Sequence, residues 1–366
     1  MNATWEEQGE TRTALWRSES APPPKRIVLA DDATRAAPAF HQAAEGTSLL
    51  YRGDYHNARQ LLAAMARRVS PPKRTGDLAR DFQLYRQAKG REAQLAGKLL
   101  IPLEPDFTIP LRRAPDLRAV LAEAWEPLDG AQLVPLREVL GAVGAHEWRE
   151  KGVDVPALGG RVHPHYGVFA PIRGEYVDLI AKTPLQDVNV AFDIGTGTGV
   201  LALVLAKRGI AKVVATDSDP RALACARENA TRFGFADRID VVEADLWPAG
   251  RADLIVCNPP WLPGRPTSRL ERAIYDPDSA FLKRFIAELP AHLAPNGEGW
   301  LVLSDLAERL GLRPPELLPE LFERAGLVVR NVQRQPAAHP RASDPEDVLH
   351  LARSTEQTAL YRLAAR

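Results

Sequence analysis

Residues 190–199 read VAFDIGTGTG, and this stretch decides the fold. Val190 to Ile194 is an apolar, β-prone run. Gly195, Gly197 and Gly199 interrupt it, and VLALVLAKRG from Val200 onward has helical composition. A strand that ends in a glycine-rich turn and opens a helix leaves backbone amides free at the helix start. Those amides bind a carboxylate or another polar ligand group. The spacing is GxGxG, with Val200 where the dinucleotide fingerprint wants its last glycine. Asp193 stands just before the turn, where a carboxylate can meet an ammonium group. Asp217 ends the next β-type run, 20 residues beyond Gly197, which suits a ribose diol and is a spacing shared with NAD proteins.

Working outward, β-type and helical runs alternate: KVVATD then PRALACARENATRF, IDVVEAD, ADLIVCN, SAFLKRFIAELPAHL, GWLVLSD, PELLPELFERAG, LVVRNVQR and finally TALYRLAA. Such alternation predicts an α/β fold, a mostly parallel sheet covered by helices on both faces. Only a Pro- and His-bearing loop separates the last two strand candidates, so they are expected to pair as an antiparallel C-terminal edge. Asp245 follows IDVVEAD and is placed to accept from an exocyclic adenine amine.

Asn258-Pro259-Pro260-Trp261 follows the run ADLIVC. In open parallel sheets ligands bind beyond the carboxyl ends of the strands, so this loop and the glycine turn are expected to share one crevice. An amide or aromatic amine nitrogen is a poor nucleophile because its lone pair is delocalised. Hydrogen bonds from its NH2 to the Asn258 side-chain oxygen and to a backbone carbonyl near Pro259 hold it and favour the electron-rich, pyramidal form. The two prolines fix the loop. Trp261 offers a flat face for a planar group and for developing positive charge. This chemistry requires neither a metal nor a covalent intermediate.

Residues from about Val162 to the C-terminus resemble class I S-adenosylmethionine-dependent methyltransferases of the HemK type, the protein-glutamine N5-methyltransferases, and their relatives that methylate nucleic-acid amines. The pieces that carry the resemblance are DIGTGTG at 193–199, ATDSDP at 215–220, EADLW at 243–247 and NPPW at 258–261. It implies a Rossmann-like domain, S-adenosyl-L-methionine as cofactor and S-adenosyl-L-homocysteine as product. It also implies cofactor contacts at Asp193, Gly195, Gly197, Asp217 and Asp245. Thr196, Gly199, Ser218, Leu246 and Asn258 complete the expected cofactor set, and Asn258, Pro259, Pro260 and Trp261 the expected catalytic set. Two departures stand out. The glutamine-modifying enzymes usually carry tyrosine where this chain has Trp261. Their proline-arginine-proline-glutamate signature survives only as Ala170-Pro171-Ile172-Arg173-Gly174-Glu175-Tyr176.

The first half is less legible. Residues 1–45, with Pro22-Pro23-Pro24 and scattered charge, are expected to form a disordered tail. Residues 46–152 are expected to form a helical substrate-recognition domain, with helices near 54–68, 77–99, 114–125 and 133–143. Residues 153–172, around Gly159-Gly160, are expected to form a β-hairpin, followed by the methyltransferase domain at 173–366. Between residues 48 and 120 there are 14 Lys or Arg and 7 Asp or Glu, a net of +7. That excess suits either a solvated helical face or a nucleic-acid surface.

Composition sets outer bounds. The 366 residues are 45% hydrophobic and 26% charged, with zero formal net charge, which gives no sign of a polyanionic partner for the whole molecule. Two cysteines, Cys225 and Cys257, make no disulfide framework and fit a reducing, cytoplasmic setting. No membrane-spanning run is present. His163 and His165 read as hairpin surface residues rather than metal ligands, and Cys257 as a packing residue. Arg265, Arg269 and Arg272 read equally as substrate contacts or as an exposed basic lid. The leading expectation is methylation of a protein glutamine amide. The alternatives are a base amine in RNA or DNA, a small-molecule acceptor, and a non-catalytic module that binds the cofactor or a protein.

Overall fold

The computed structural model describes residues 1–366. They divide into two compact units, one of residues 1–74 and 83–147 and the other of residues 75–82 and 148–366.

The first unit is an α/β layer rather than a helical domain, and residues 1–45 are part of it rather than a disordered tail. Its strands are β1 (Asn2–Glu7), β2 (Glu10–Trp16), β3 (Ile27–Ala30), β4 (Ser48–Tyr51), β5 (Leu99–Leu103) and β6 (Gln132–Pro135), in the sheet order β1-β2-β6-β5-β4-β3. β1 and β2 form a hairpin turned at Gln8 (φ 56) and Gly9 (φ 80), the two positive φ angles a two-residue hairpin turn demands. Ala3, Trp5, Ala14 and Trp16 face inward and pack with Leu50, Leu100 and Leu133, while the charged neighbours point out. Burial of two tryptophans offsets the ordering entropy of a segment that looked too polar to fold. The expected helices are present at Tyr55–Ala66, Leu78–Ala96, Arg118–Ala124 and Leu136–Lys151. Before and between them lie the short buried runs SLLY, LLIPL and QLVP, four or five residues each. Runs that short carry no period that separates strand from helix, so the helices were legible and the strands between them were not.

The second unit begins with an antiparallel pair, β7 (Val153–Val155) and β8 (Gly160–Val162). It continues with β9 (Val190–Ile194), β10 (Lys212–Asp217), β11 (Ile239–Glu243), β12 (Ala252–Cys257), β13 (Leu293–Ser304), β14 (Leu327–Pro336) and β15 (Gln357–Ala365). The sheet order is β11-β10-β9-β12-β13-β15-β14. The first five of these strands are mutually parallel, and β15 runs antiparallel to both β13 and β14. The last two strands thus pair as expected, but the C-terminal strand is internal and β14 is the edge. The reason is compositional. β15 (QTALYRLAA) is mostly buried, whereas β14 (LVVRNVQRQP) is studded with Arg330, Asn331, Gln333 and Arg334, residues that tolerate an unpaired edge. The helix Val200–Lys207 is buried almost throughout and covers one face, packing with Tyr176, Leu179 and Ile180 of the helix Glu175–Lys182. Phe285, Ile286 and Leu289 of the helix Ala280–His292 cover the other.

Candidate active site

The direction of connection reverses between β9 and β12, which lie side by side although two strands separate them in sequence. Their registers match at the carboxyl end, with Cys257 opposite Ile194. The glycine turn and the Asn258-Pro259-Pro260-Trp261 loop therefore leave the sheet at adjacent points, as an open parallel sheet requires of a ligand crevice.

The glycine turn is built on positive φ. Gly195, Gly197 and Gly199 have φ of 72°, 56° and 82°. At Gly199 a Cβ would lie 3.2 Å from both Cα and Cβ of Ala226, so the helix Pro220–Arg232 closes on this glycine. At Gly197 a Cβ would meet nothing within 4 Å, and the turn there is open to a ligand. The Thr196 amide donates to the Thr216 carbonyl (2.8 Å), which ties the turn to the end of β10.

Asp193 is buried beneath the turn, where its Oδ2 accepts from Thr196 Oγ1 (2.6 Å) and from the Ala202 amide (3.0 Å). It is thus a staple of the turn itself, a role sequence reasoning did not assign. Burial pushes its carboxyl up to about 6, against the two hydrogen bonds and with help from the neighbouring Asp217 charge. Because this folded-state value lies above the ordinary one, the contribution to stability is full below about pH 4 and lost as pH rises through about 6. Chemical denaturation of the wild type and Asp193→Asn between pH 4 and 7 should show the wild type losing up to about 3 kcal/mol relative to the variant. A pH-independent difference would contradict that assignment.

Asp217, at the end of β10, accepts from the amides of Gly197 (Oδ2, 3.0 Å) and Asp219 (Oδ1, 3.0 Å). Burial raises its carboxyl above the usual range, only partly countered by those amides. Ser218 follows it in the turn to Asp219, which caps the next helix by accepting from the Arg221 amide. Asp245, the next of the expected cofactor contacts, lies at the surface. Its side chain is 82% exposed and paired with Arg284 Nη1 at 2.7 Å. Its neighbour Leu246 is buried, with φ of 80°, and its carbonyl accepts from Thr216 Oγ1.

Asn258 follows β12, and its Oδ1 accepts from Trp261 Nε1 at 2.8 Å. Pro259 and Pro260 space these two residues so that the side chains meet across the loop. The Arg173 guanidinium lies 4.6 Å from the centroid of the Trp261 ring. Arg173 in turn donates from Nε to Glu175 Oε1 (2.6 Å) and pairs with Glu356 Oε1 (3.0 Å). Burial works to raise Glu356, but His339, Arg173 and Ser304 together hold it below the usual carboxylate range. Sequence reasoning missed Arg173 and Glu356. Arg173 sits in the degraded signature before the glycine turn, a usable signal, while Glu356 lies 183 residues away and carried none.

The remaining candidates separate. Arg269 pairs with Asp219 (3.2 Å), which ties the segment after the proline loop to the start of the helix Pro220–Arg232, and Arg272 is exposed. His163 Nδ1 lies 2.6 Å from the Arg149 carbonyl oxygen and His165 Nε2 lies 2.7 Å from Glu228 Oε2. Cys257 is fully buried in the strand, and burial drives its thiol up, so packing accounts for it. No group of three or more His, Cys, Asp or Glu converges as a metal site, and no helix is long and apolar enough to cross a membrane.

Residues 161–333 match the family model described as the methyltransferase small domain. The chain is similar to a release factor glutamine methyltransferase from Cereibacter sphaeroides, 35% identical over 43% of this chain and 64% of that protein. A second such enzyme, from Deinococcus radiodurans, is 34% identical over 48% of this chain and 64% of its own. A tRNA1(Val) (adenine(37)-N6)-methyltransferase from Shewanella loihica is 31% identical over 36% and 59%. The chain thus spans less than two thirds of the length of each of these relatives.

Proposed function

We propose, for a chain whose residues 161–333 match the methyltransferase small domain, that the whole protein methylates a planar nitrogen, in the first place a protein glutamine amide. The observation that carries this reading is the register of Cys257 with Ile194, which starts Asn258 beside Gly195 and so sets an amide-binding side chain next to the cofactor turn. Bound S-adenosyl-L-methionine supplies the methyl group. The residues suit it: the open face at Gly197 accommodates a ligand against backbone, and Asp217 lies one hydrogen bond from that glycine. Asp217 is the acceptor for the ribose diol, with Ser218 beside it. Gly195, Thr196 and Gly199 shape the turn that receives the methionyl portion. Leu246, buried beyond β11, serves the adenine edge, whereas Asp245 reaches it only by leaving Arg284. The Asn258 oxygen holds the acceptor NH2, and one lone pair remains for it beside the bond from Trp261.

The similarity to two release factor glutamine methyltransferases supports the amide acceptor. A base amine in RNA is the second reading. It is favoured by the tRNA adenine methyltransferase relative and by the net +7 of residues 48–120. Transfer of label from radiolabelled S-adenosyl-L-methionine into a cell extract, treated beforehand with protease or with nuclease, separates the two. Loss of label on protease treatment is the expected result, and loss only on nuclease treatment would move the acceptor to RNA or DNA. Asp217→Ala should weaken S-adenosyl-L-methionine at least tenfold in calorimetry, the loss of one or two hydrogen bonds to a charged group, with a smaller effect on turnover at saturation. Unchanged affinity would remove Asp217 from the cofactor site.

A further inference from the structure

Asn258 is an amide, and an amide can present either its oxygen or its NH2 to a ligand. Only the oxygen can accept from an acceptor N–H, so chemistry at this position depends on which way the amide is turned. The Trp261 indole N–H is a donor only, and it ends on Asn258 Oδ1 at 2.8 Å. That contact selects one of the two amide orientations. Trp261 is itself held, because the Arg173 guanidinium covers one face of its ring at 4.6 Å. Arg173 has little freedom. Its side chain is 15% exposed and is clamped between Glu175 and Glu356, whose side chains are 3% and 0% exposed. Glu356 is fixed further by Ser304 Oγ, at the end of β13, and Arg173 Nη2 also reaches Thr358 Oγ1 of β15. A buried ion cluster anchored by Ser304 of β13 and Thr358 of β15 thus reaches the proline loop through a single guanidinium and a single indole.

We propose that Arg173 and Trp261 are positioning residues that lock the Asn258 amide with its oxygen available to the acceptor nitrogen, Trp261 through its N–H and Arg173 by holding the indole. The inference rests on the reading of Asn258 given above. It adds that the Trp261 side chain acts by hydrogen bonding as well as by stacking, and that an acceptor group can stack only on the ring face Arg173 leaves open. A phenylalanine at position 261 would keep the ring and lose the lock.

The test uses the full chain labelled with 15N in its seven tryptophan indoles. Trp261→Phe identifies the Trp261 signal by its loss. Asn258→Ala should shift that signal and speed its exchange with solvent about tenfold, the scale of one lost hydrogen bond, while Asn258→Asp, which keeps an acceptor oxygen, should preserve it. Arg173→Lys keeps the charge but not the planar fork, and should move the same signal. In methyl transfer, Trp261→Phe should lower kcat about tenfold with KM for S-adenosyl-L-methionine unchanged, and adding it to Asn258→Ala should cost nothing more in turnover. Because Trp261 also packs against the two core clusters, the midpoint does not discriminate, whereas a merely structural role would lower cofactor affinity along with turnover. An indole signal indifferent to Asn258→Ala, or a Trp261→Phe effect that multiplies with Asn258→Ala, would overturn the proposal. If the wild type labels no acceptor the functional reading fails, yet the spectra still decide whether the lock exists.

Discussion

Asn258→Ala is expected to reduce methyl transfer about 100-fold while leaving S-adenosyl-L-methionine affinity within about twofold, the pattern of a polar group that acts on the reacting atoms. The side chain stands at the carboxyl end of β12, beside the glycine turn. On the proposed reading its oxygen is the group offered to the acceptor NH2, and alanine offers nothing in its place. The fold should change little, because the hydrogen bond of the Asn258 side chain goes to Trp261 within the same loop. Single-turnover transfer into the labelled extract fraction, together with calorimetric titration of the cofactor, checks both halves. Turnover at the wild-type rate would mean that the acceptor nitrogen is held elsewhere. A parallel loss of cofactor binding would mean that Asn258 belongs to the cofactor site first.

Gly199→Val should be the most damaging single change in the cofactor turn, at about 2–4 kcal/mol. Two costs combine. A residue at φ 82° pays about 1–2 kcal/mol for left-handed backbone, more when β-branched. The new Cβ would also lie 3.2 Å from the Ala226 backbone Cα, on a helix whose inner face is buried and cannot retreat without opening a cavity. Gly209→Ala separates the two costs, because Gly209 has φ 100° with nothing within 4 Å of its would-be Cβ. It should show the backbone term alone, about 1 kcal/mol. Calorimetric unfolding of both variants gives the comparison. Equal losses would show that crowding against Ala226 contributes nothing. Gly199→Val should also abolish cofactor binding, since the helix Val200–Lys207 can no longer start where the amides are needed.

The parts legible in the sequence are those in which local chemistry and tertiary demand coincide. DIGTGTG reads as a strand, a turn and a helix because only glycine accepts three positive φ angles in five residues at little cost. NPPW reads as a ligand loop because it follows an apolar strand, and its place beside the turn follows from how parallel sheets are connected. The alternating runs after residue 188 were enough for a mostly parallel sheet, including the antiparallel pairing of the last two strands. By itself, then, the sequence determined the α/β class and the neighbouring places of the glycine turn and the proline loop, and it offered Asp217 and Asn258 as the polar groups of the proposed site.

Tertiary structure decided what depends on partners distant in the chain. The N-terminal hairpin is stable because Trp5 and Trp16 find Leu50, Leu100 and Leu133, contacts that no local pattern announces. The order of β14 and β15 turned on which strand could bear an unpaired edge, and the charges of β14 settled it. Asp193, two residues before the first turn glycine, became a buried staple because two donors of its own loop enclose it. Asp245 finds its ion-pair partner in Arg284, 39 residues away. The clamp on Trp261 joins Arg173 to Glu356 across 183 residues. A buried charge persists only where donors or an opposite charge are folded against it, and for the Arg173–Glu356 pair chain topology rather than local sequence brings the two together.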